Sequence, residues 1–129
     1  MQNSIISMTF NLNSKLSVIT GAAGAIGSAT ARLFASHGSD LVLADISADI
    51  TRQAQQLQLA YPSRRISAHV LDLTCSSHVQ RLFDEIKHHH DTCPTVLVNA
   101  VGQGRRKPIL DLNLFEFDQM IDVNLKVLK

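Results

Sequence analysis

Short apolar runs rich in β-branched residues alternate with helix-patterned segments along this chain, and that alternation constrains the fold more than any other feature. Leu16 to Thr20 reads as a first strand. Ile26, Ala29, Leu33 and Phe34 then recur at helical spacing, and Gly38 ends that helix. Leu41 to Ala44 is continuously apolar, as expected of a strand buried on both faces. Ile50, Ala54, Leu57 and Tyr61 mark one side of a second helix closed by Pro62. Ser67 to Leu71 predicts a third strand, and Val79, Leu82, Phe83 and Ile86 a third helix. Thr95 to Val98 predicts a fourth strand. Phe117, Met120, Ile121, Asn124, Leu125 and Leu128 begin a last helix. Strand–helix alternation of this kind implies parallel β-α-β units joined by right-handed crossovers, hence an α/β doubly wound sheet with helices on both faces. Such sheets bind ligands at the carboxyl ends of their strands.

The 129 residues suit one small domain. Twelve basic residues face eleven acidic ones, a net charge of +1, and no stretch is strongly basic, which argues against nucleic acid as a partner. No run reaches the length of a membrane span, so no membrane partner is expected. Cys75 and Cys93 form neither a CxxC pair nor a metal-like cluster with histidine, which fits a reduced compartment. Residues 1–15 break up their apolar positions with Asn and Ser, so no secretory signal is expected there. A cytoplasmic location follows, with the mitochondrial matrix as the alternative. His88-His89-His90 reads as a solvated helix end, because adjacent helical side chains point apart and bind one ion poorly; no metal site is expected. Gly104-Arg105-Arg106-Lys107 reads as an exposed loop.

The informative residues fall where strands end. Thr20-Gly21-Ala22-Ala23-Gly24-Ala25-Ile26-Gly27 follows a strand and opens a helix. A pyrophosphate seated there meets the first N–H groups of the helix at its positive end, and small residues let it approach. Gly27 allows close packing of helix on sheet. Asp45 ends the second strand, 18 residues beyond Gly27, where a carboxylate accepts ribose hydroxyls and repels a 2′-phosphate.

Together with Leu71-Asp72-Leu73-Thr74, Val98-Asn99-Ala100-Val101-Gly102 and Asp122-Val123-Asn124-Leu125, these segments resemble the short-chain dehydrogenase/reductase family over residues 15–129. The resemblance implies a Rossmann-type sheet, here incomplete with about four strands. Residues 1–14 are expected to be an N-terminal extension, and 15–129 a dinucleotide-binding domain cut in the helix after the fourth strand. The resemblance also implies roles. Gly21, Gly24, Ala25, Ile26 and Gly27 wrap the pyrophosphate. Asp45, followed by Ile46, holds the adenosine ribose. Asp72 and the backbone of Leu73 meet the adenine. Asn99, Ala100 and Gly102 form the floor beneath the ribose and nicotinamide. Asn124 matches the family's catalytic asparagine.

The sequence departs from the family pattern in three places. Ala25 stands where the middle glycine of the turn is expected, and Ala100-Val101 replaces the middle of Asn-Asn-Ala-Gly. The family's Ser and Tyr-x-x-x-Lys, the acid/base machinery, are absent. The one tyrosine, Tyr61, is followed four residues on by Arg65. Basic residues typical of NADP-dependent relatives are missing at Gly24 and Ile46, so the expected cofactor is NAD rather than NADP. The implied protein is an NAD(H)-dependent oxidoreductase acting on an alcohol or ketone, with 3-oxoacyl carrier-protein reductases or hydroxysteroid dehydrogenases as the nearest members, and a homo-oligomer when complete. The alternative is a non-catalytic dinucleotide-binding or subunit-interaction domain.

Overall fold

A computed structural model describes residues 11–102 and 109–124. The elements run β1 (Leu16–Thr20), α1 (Ala25–Ser36), β2 (Asp40–Asp45), α2 (Asp49–Ala60), β3 (Ile66–Val70), α3 (Ser76–His89), β4 (Val96–Asn99), a 3-10 turn (Ile109–Asp111) and α4 (Leu114–Asn124). All pairings are parallel, and the strand order is β3-β2-β1-β4. The doubly wound α/β sheet expected from the alternation is therefore present. Predicted and observed strands differ by a residue or so at their ends. The Gly104–Lys107 loop, Leu125 and Leu128 lie outside the described residues.

Residue parity divides the core. Ile19, Leu41 and Leu43 face α1 and α2, where Ala31, Ala35, Ile50, Ala54 and Leu57 meet them. Leu16, Val18, Val42 and Ala44 face α3 through Leu82 and Ile86. The central strands β1 and β2 are thus covered on both sides, as the unbroken apolar run Leu41–Ala44 of β2 requires.

The structure corrects the helix stripe expected for the first helix. Ile26 and Leu33 are 76% and 50% exposed, whereas Gly27, Ala31 and Ala35 are buried. Small side chains spaced by four residues let α1 lie close against the sheet, and larger ones would hold it off. On α3, Leu82 and Ile86 are buried as expected, but Phe83 is half exposed. On α4 no residue is fully buried, and Phe117 is half exposed.

His90 is a second correction. The sequence pattern places it at a solvated helix end, yet it is buried. Its Nε2 lies 3.0 Å from Ser67 Oγ, which in turn lies 2.9 Å from His69 Nε2. His69 Nδ1 meets Glu85 Oε2 at 2.6 Å. A chain of polar groups thus fastens edge strand β3 to the end of α3. A sequence pattern sees only that three histidines are adjacent; that the last leaves the helix and turns onto β3 is decided by packing. Among the described residues no group of three or more His, Cys, Asp or Glu is placed to hold a metal ion, and no helix is long and apolar enough to cross a membrane.

Burial pushes the His90 imidazole below its ordinary value, opposed in part by the Asp40 carboxylate. An unfolded chain takes up a proton at this histidine as pH falls through about 6.5, while the folded chain resists it. The unfolded state then binds more protons, so stability declines on acidification. We expect the melting temperature to fall between about pH 7.5 and 5.5, and His90→Asn to flatten that slope, as read by thermal denaturation followed by circular dichroism.

Candidate dinucleotide site

Strand order places the site. From β1 the chain builds outward through β2 to β3, and β4 returns to the other side of β1. The strand order thus reverses direction at β1, the point at which sheets of this kind hold a crevice at the strands' carboxyl ends. Register aligns the ends: Thr20 pairs with Ala44 on one side and Asn99 on the other.

Gly21 makes the turn out of β1. Its φ is +68°, a left-handed conformation natural to glycine. A Cβ there would also lie 2.6 Å from the Ala100 carbonyl group, so the β4 loop passes directly over it. One turn into α1, a Cβ on Gly27 would lie inside contact distance of the Gly21 carbonyl oxygen and 2.8 Å from Ala22 Cα. These glycines thus serve close packing of backbone on backbone.

The turn's N–H groups divide into bonded and outward ones. Ala22 N–H donates to the Ala44 carbonyl at 3.3 Å and Gly24 N–H to that of Gly21 at 3.1 Å. Ala23 N–H donates to Asp45 Oδ2 at 2.9 Å. The first helical bond of α1 runs from Ser28 N–H to Gly24 at 2.8 Å. That leaves the N–H groups of Ala25, Ile26 and Gly27 at the helix start without intrahelical acceptors. No acidic residue occupies that first turn, so its positive end is not neutralised from within the helix.

Asp45 is fixed from both sides. Besides the Ala23 bond, its Oδ1 accepts from Ser47 N–H at 2.9 Å. At the neighbouring strand end, Asp72 Oδ1 accepts from Thr74 Oγ1 at 2.6 Å and Thr74 N–H at 2.9 Å. These two bonds hold the Asp72 carboxyl below its ordinary range, the side-chain bond counting most.

Gly21, Gly24, Asp45, Ile46, Asp72, Leu73, Ala100 and Gly102 line one cleft of about 520 Å³, within the usual size of small-molecule sites. Ala25, Ile26 and Gly27 form the adjoining helix start. Asn99 is not among the cleft's lining residues: it accepts from Thr20 Oγ1 at 3.1 Å and borders a separate apolar cleft between α3 and β4. Asn124 donates through Nδ2 to the Met120 carbonyl at 2.9 Å, and a Cβ on Gly102 would approach its Oδ1 to 3.3 Å. The structure thus brings the end of α4 to the cleft mouth.

Gln119, Asp122 and Val123, for which the family resemblance implies no site role, also line the cleft. Their i, i+3, i+4 spacing puts them on one helix face, a signal present in the sequence and outweighed by the Asn124 match. Tyr61 follows α2 and lies by Ser63 and Arg64, away from this cleft. Ser77 Oγ lies 3.1 Å from the Cys75 sulfur and, with the His78 backbone N–H, draws the thiol's pKa down.

Residues 15–128 match the family profile described as short chain dehydrogenase. An NAD-dependent glycerol dehydrogenase of Listeria innocua is 34% identical over 117 residues, covering 91% of this chain and 44% of that protein. A short chain dehydrogenase from Mycobacterium smegmatis superposes with a TM-score of 0.81 at 31% identity, covering 91% of this chain and 48% of the other. L-sorbose reductase from Gluconobacter frateurii, solved with NADPH and L-sorbose, shares the fold with a TM-score of 0.83 at 22% identity, over 92% of this chain and 45% of that one. With the glycine turn, the parallel sheet and the switch-point cleft, these matches make the chain a member of the short-chain dehydrogenase/reductase family of oxidoreductases. It spans less than half the length of the curated relatives it matches.

The glycine contacts separate three substitutions. Gly21→Ala and Gly27→Ala should each lower the unfolding free energy by about 1–3 kcal/mol. Gly24→Ala, whose Cβ would meet only the Gly21 oxygen at 3.3 Å, should cost less than either. Urea denaturation of the three variants checks the ranking.

Proposed function

We propose that this chain is the cofactor-binding portion of an NAD(H)-dependent short-chain oxidoreductase whose substrate is a small alcohol or its carbonyl counterpart. The observation that carries the reading is the Asp45 carboxylate, held by two backbone N–H groups at the rim of a cleft that Gly21 and Gly24, beside the start of α1, also line. Each carboxylate oxygen has a second lone pair, so Asp45 keeps acceptor capacity for a pair of ribose hydroxyls. Its charge disfavours a 2′-phosphate. The residues where NADP-binding relatives carry a cation are here Gly24 and Ile46, which supports NAD over NADP.

The remaining roles follow from position. The helix start at Ala25 to Gly27 suits a pyrophosphate. Asp72 and Leu73 form a wall suited to adenine. Ala100 and Gly102 floor the nicotinamide end, and Asn124 at the cleft mouth suits a water held for proton transfer. When bound, the nicotinamide ring supplies or accepts the hydride; the chain's own residues bind and orient. The exposed Phe115 and Phe117 on α4 suit association with a second copy.

The placement of Tyr61 favours a second reading for the 129 residues taken alone, a domain that binds the dinucleotide without turning over substrate. The one tyrosine stands by Ser63 and Arg64, away from the cleft, and so is not placed to serve there as an acid/base group.

Two outcomes test this. Calorimetric titration should show NAD(H) binding more tightly than NADP(H), and Asp45→Ala should weaken NAD(H) by about tenfold or more. Equal or tighter NADP(H) binding would refute the cofactor assignment. Residues 1–129 should show no change in reduced-nicotinamide absorbance with a panel of alcohols and ketones. Turnover abolished by Asn124→Ala would reveal an acid/base group in this chain.

A further inference from the structure

The wall formed by Asp72, Leu73 and Thr74 is a tight turn that closes mostly on itself. Cys75 N–H donates to the Asp72 carbonyl at 3.1 Å, and Thr74 donates twice to the Asp72 carboxylate. One end is anchored to β2, where Leu71 N–H donates to the Asp45 carbonyl at 3.0 Å. The other end is anchored through a side chain. Asp72 N–H donates to Nδ1 of His78, in the first turn of α3, at 3.1 Å. His78 is half buried and is not among the residues that line the cleft.

We propose that His78 is a positioning residue for the cleft: through Nδ1 it holds the Asp72 amide, and so orients the Leu71–Asp72 peptide that leads into the Asp72–Leu73 wall against which a planar base would lie. The role rests on the dinucleotide reading and names a residue that reading does not include. Its chemistry is specific. Asp72 N–H points toward Nδ1, so Nδ1 carries the lone pair and the ring proton sits on Nε2. Without an acceptor there, a partly buried amide loses its partner, and the peptide is free to rotate toward water. A displacement of 1 Å in such a wall is enough to loosen a site. Asparagine supplies an acceptor at the same point, since its Oδ1 occupies the position of the imidazole Nδ1; leucine fills similar space and accepts nothing.

The test is calorimetric titration of residues 1–129 with ADP-ribose, which carries adenine, ribose and pyrophosphate but no nicotinamide. We expect the wild type to bind, His78→Leu to bind about five- to tenfold more weakly, and His78→Asn to stay within about twofold of wild type. Melting curves of each variant establish that it is folded. Unchanged affinity in His78→Leu, or equal loss in both variants, overturns the positioning role. A wild type that binds neither ADP-ribose nor NAD overturns the dinucleotide reading and this role with it. A second measurement needs no variant: the ¹⁵N shifts of the wild-type His78 ring should mark Nδ1 as unprotonated and should move when ADP-ribose is added. A proton on Nδ1 overturns the proposal.

Discussion

The site depends on how closely three backbones approach one another at Gly21. The β1 turn, the start of α1 and the loop leaving β4 converge there, with room for hydrogen and no room for carbon. Close packing of this kind is intolerant of even one added methyl group. Because the β4 loop rests on Gly21, the floor of the cleft at Ala100 is referenced to the same point as the helix start. Because Gly27 rests on the Gly21 carbonyl, the tilt of α1 is set there too. The cleft is thereby assembled from segments far apart in sequence whose spacing is fixed by contact.

Polar groups then tie the rim to this centre. Asp45 joins the end of β2 to the glycine turn through Ala23, and Leu71 joins the end of β3 to β2 through the Asp45 carbonyl. Each strand end is thus bonded to its neighbour's outgoing loop. On the same side of the sheet as α3, the Glu85–His69–Ser67–His90 chain does a comparable job for edge strand β3. The opposite edge is arranged differently. β4 pairs only with β1 among the described residues, and Leu97 is 62% exposed beside an apolar cleft shared with α3. An exposed edge of this kind presents unpaired backbone groups.

Much of the fold was legible in the sequence because strand and helix differ in period. Continuous apolar runs such as Leu41–Ala44 can be satisfied only where both faces are covered, and the order of strands and helices then leaves few topologies. The glycine turn and Asp45 were legible for a related reason: each needs a particular residue type at a particular strand end. Which face of α1 is buried was less legible. Ile26 and Leu33 outrank alanine in hydrophobicity, yet the requirement at that surface is closeness, and Gly27, Ala31 and Ala35 meet it.

By itself the sequence determined the class of fold, the switch-point turn and the carboxylate of the cleft, since these follow from period, residue size and charge along a local stretch. Only the tertiary structure decided which side chains share a space. It bonded Asn99 to Thr20, brought Gln119, Asp122 and Val123 to the cleft wall, buried His90 against Ser67 and set His78 behind Asp72. The physical reason is the same in each case. Hydrogen bonds and contacts between residues distant in sequence depend on orientations that arise when helices dock on the sheet, and no local pattern records them.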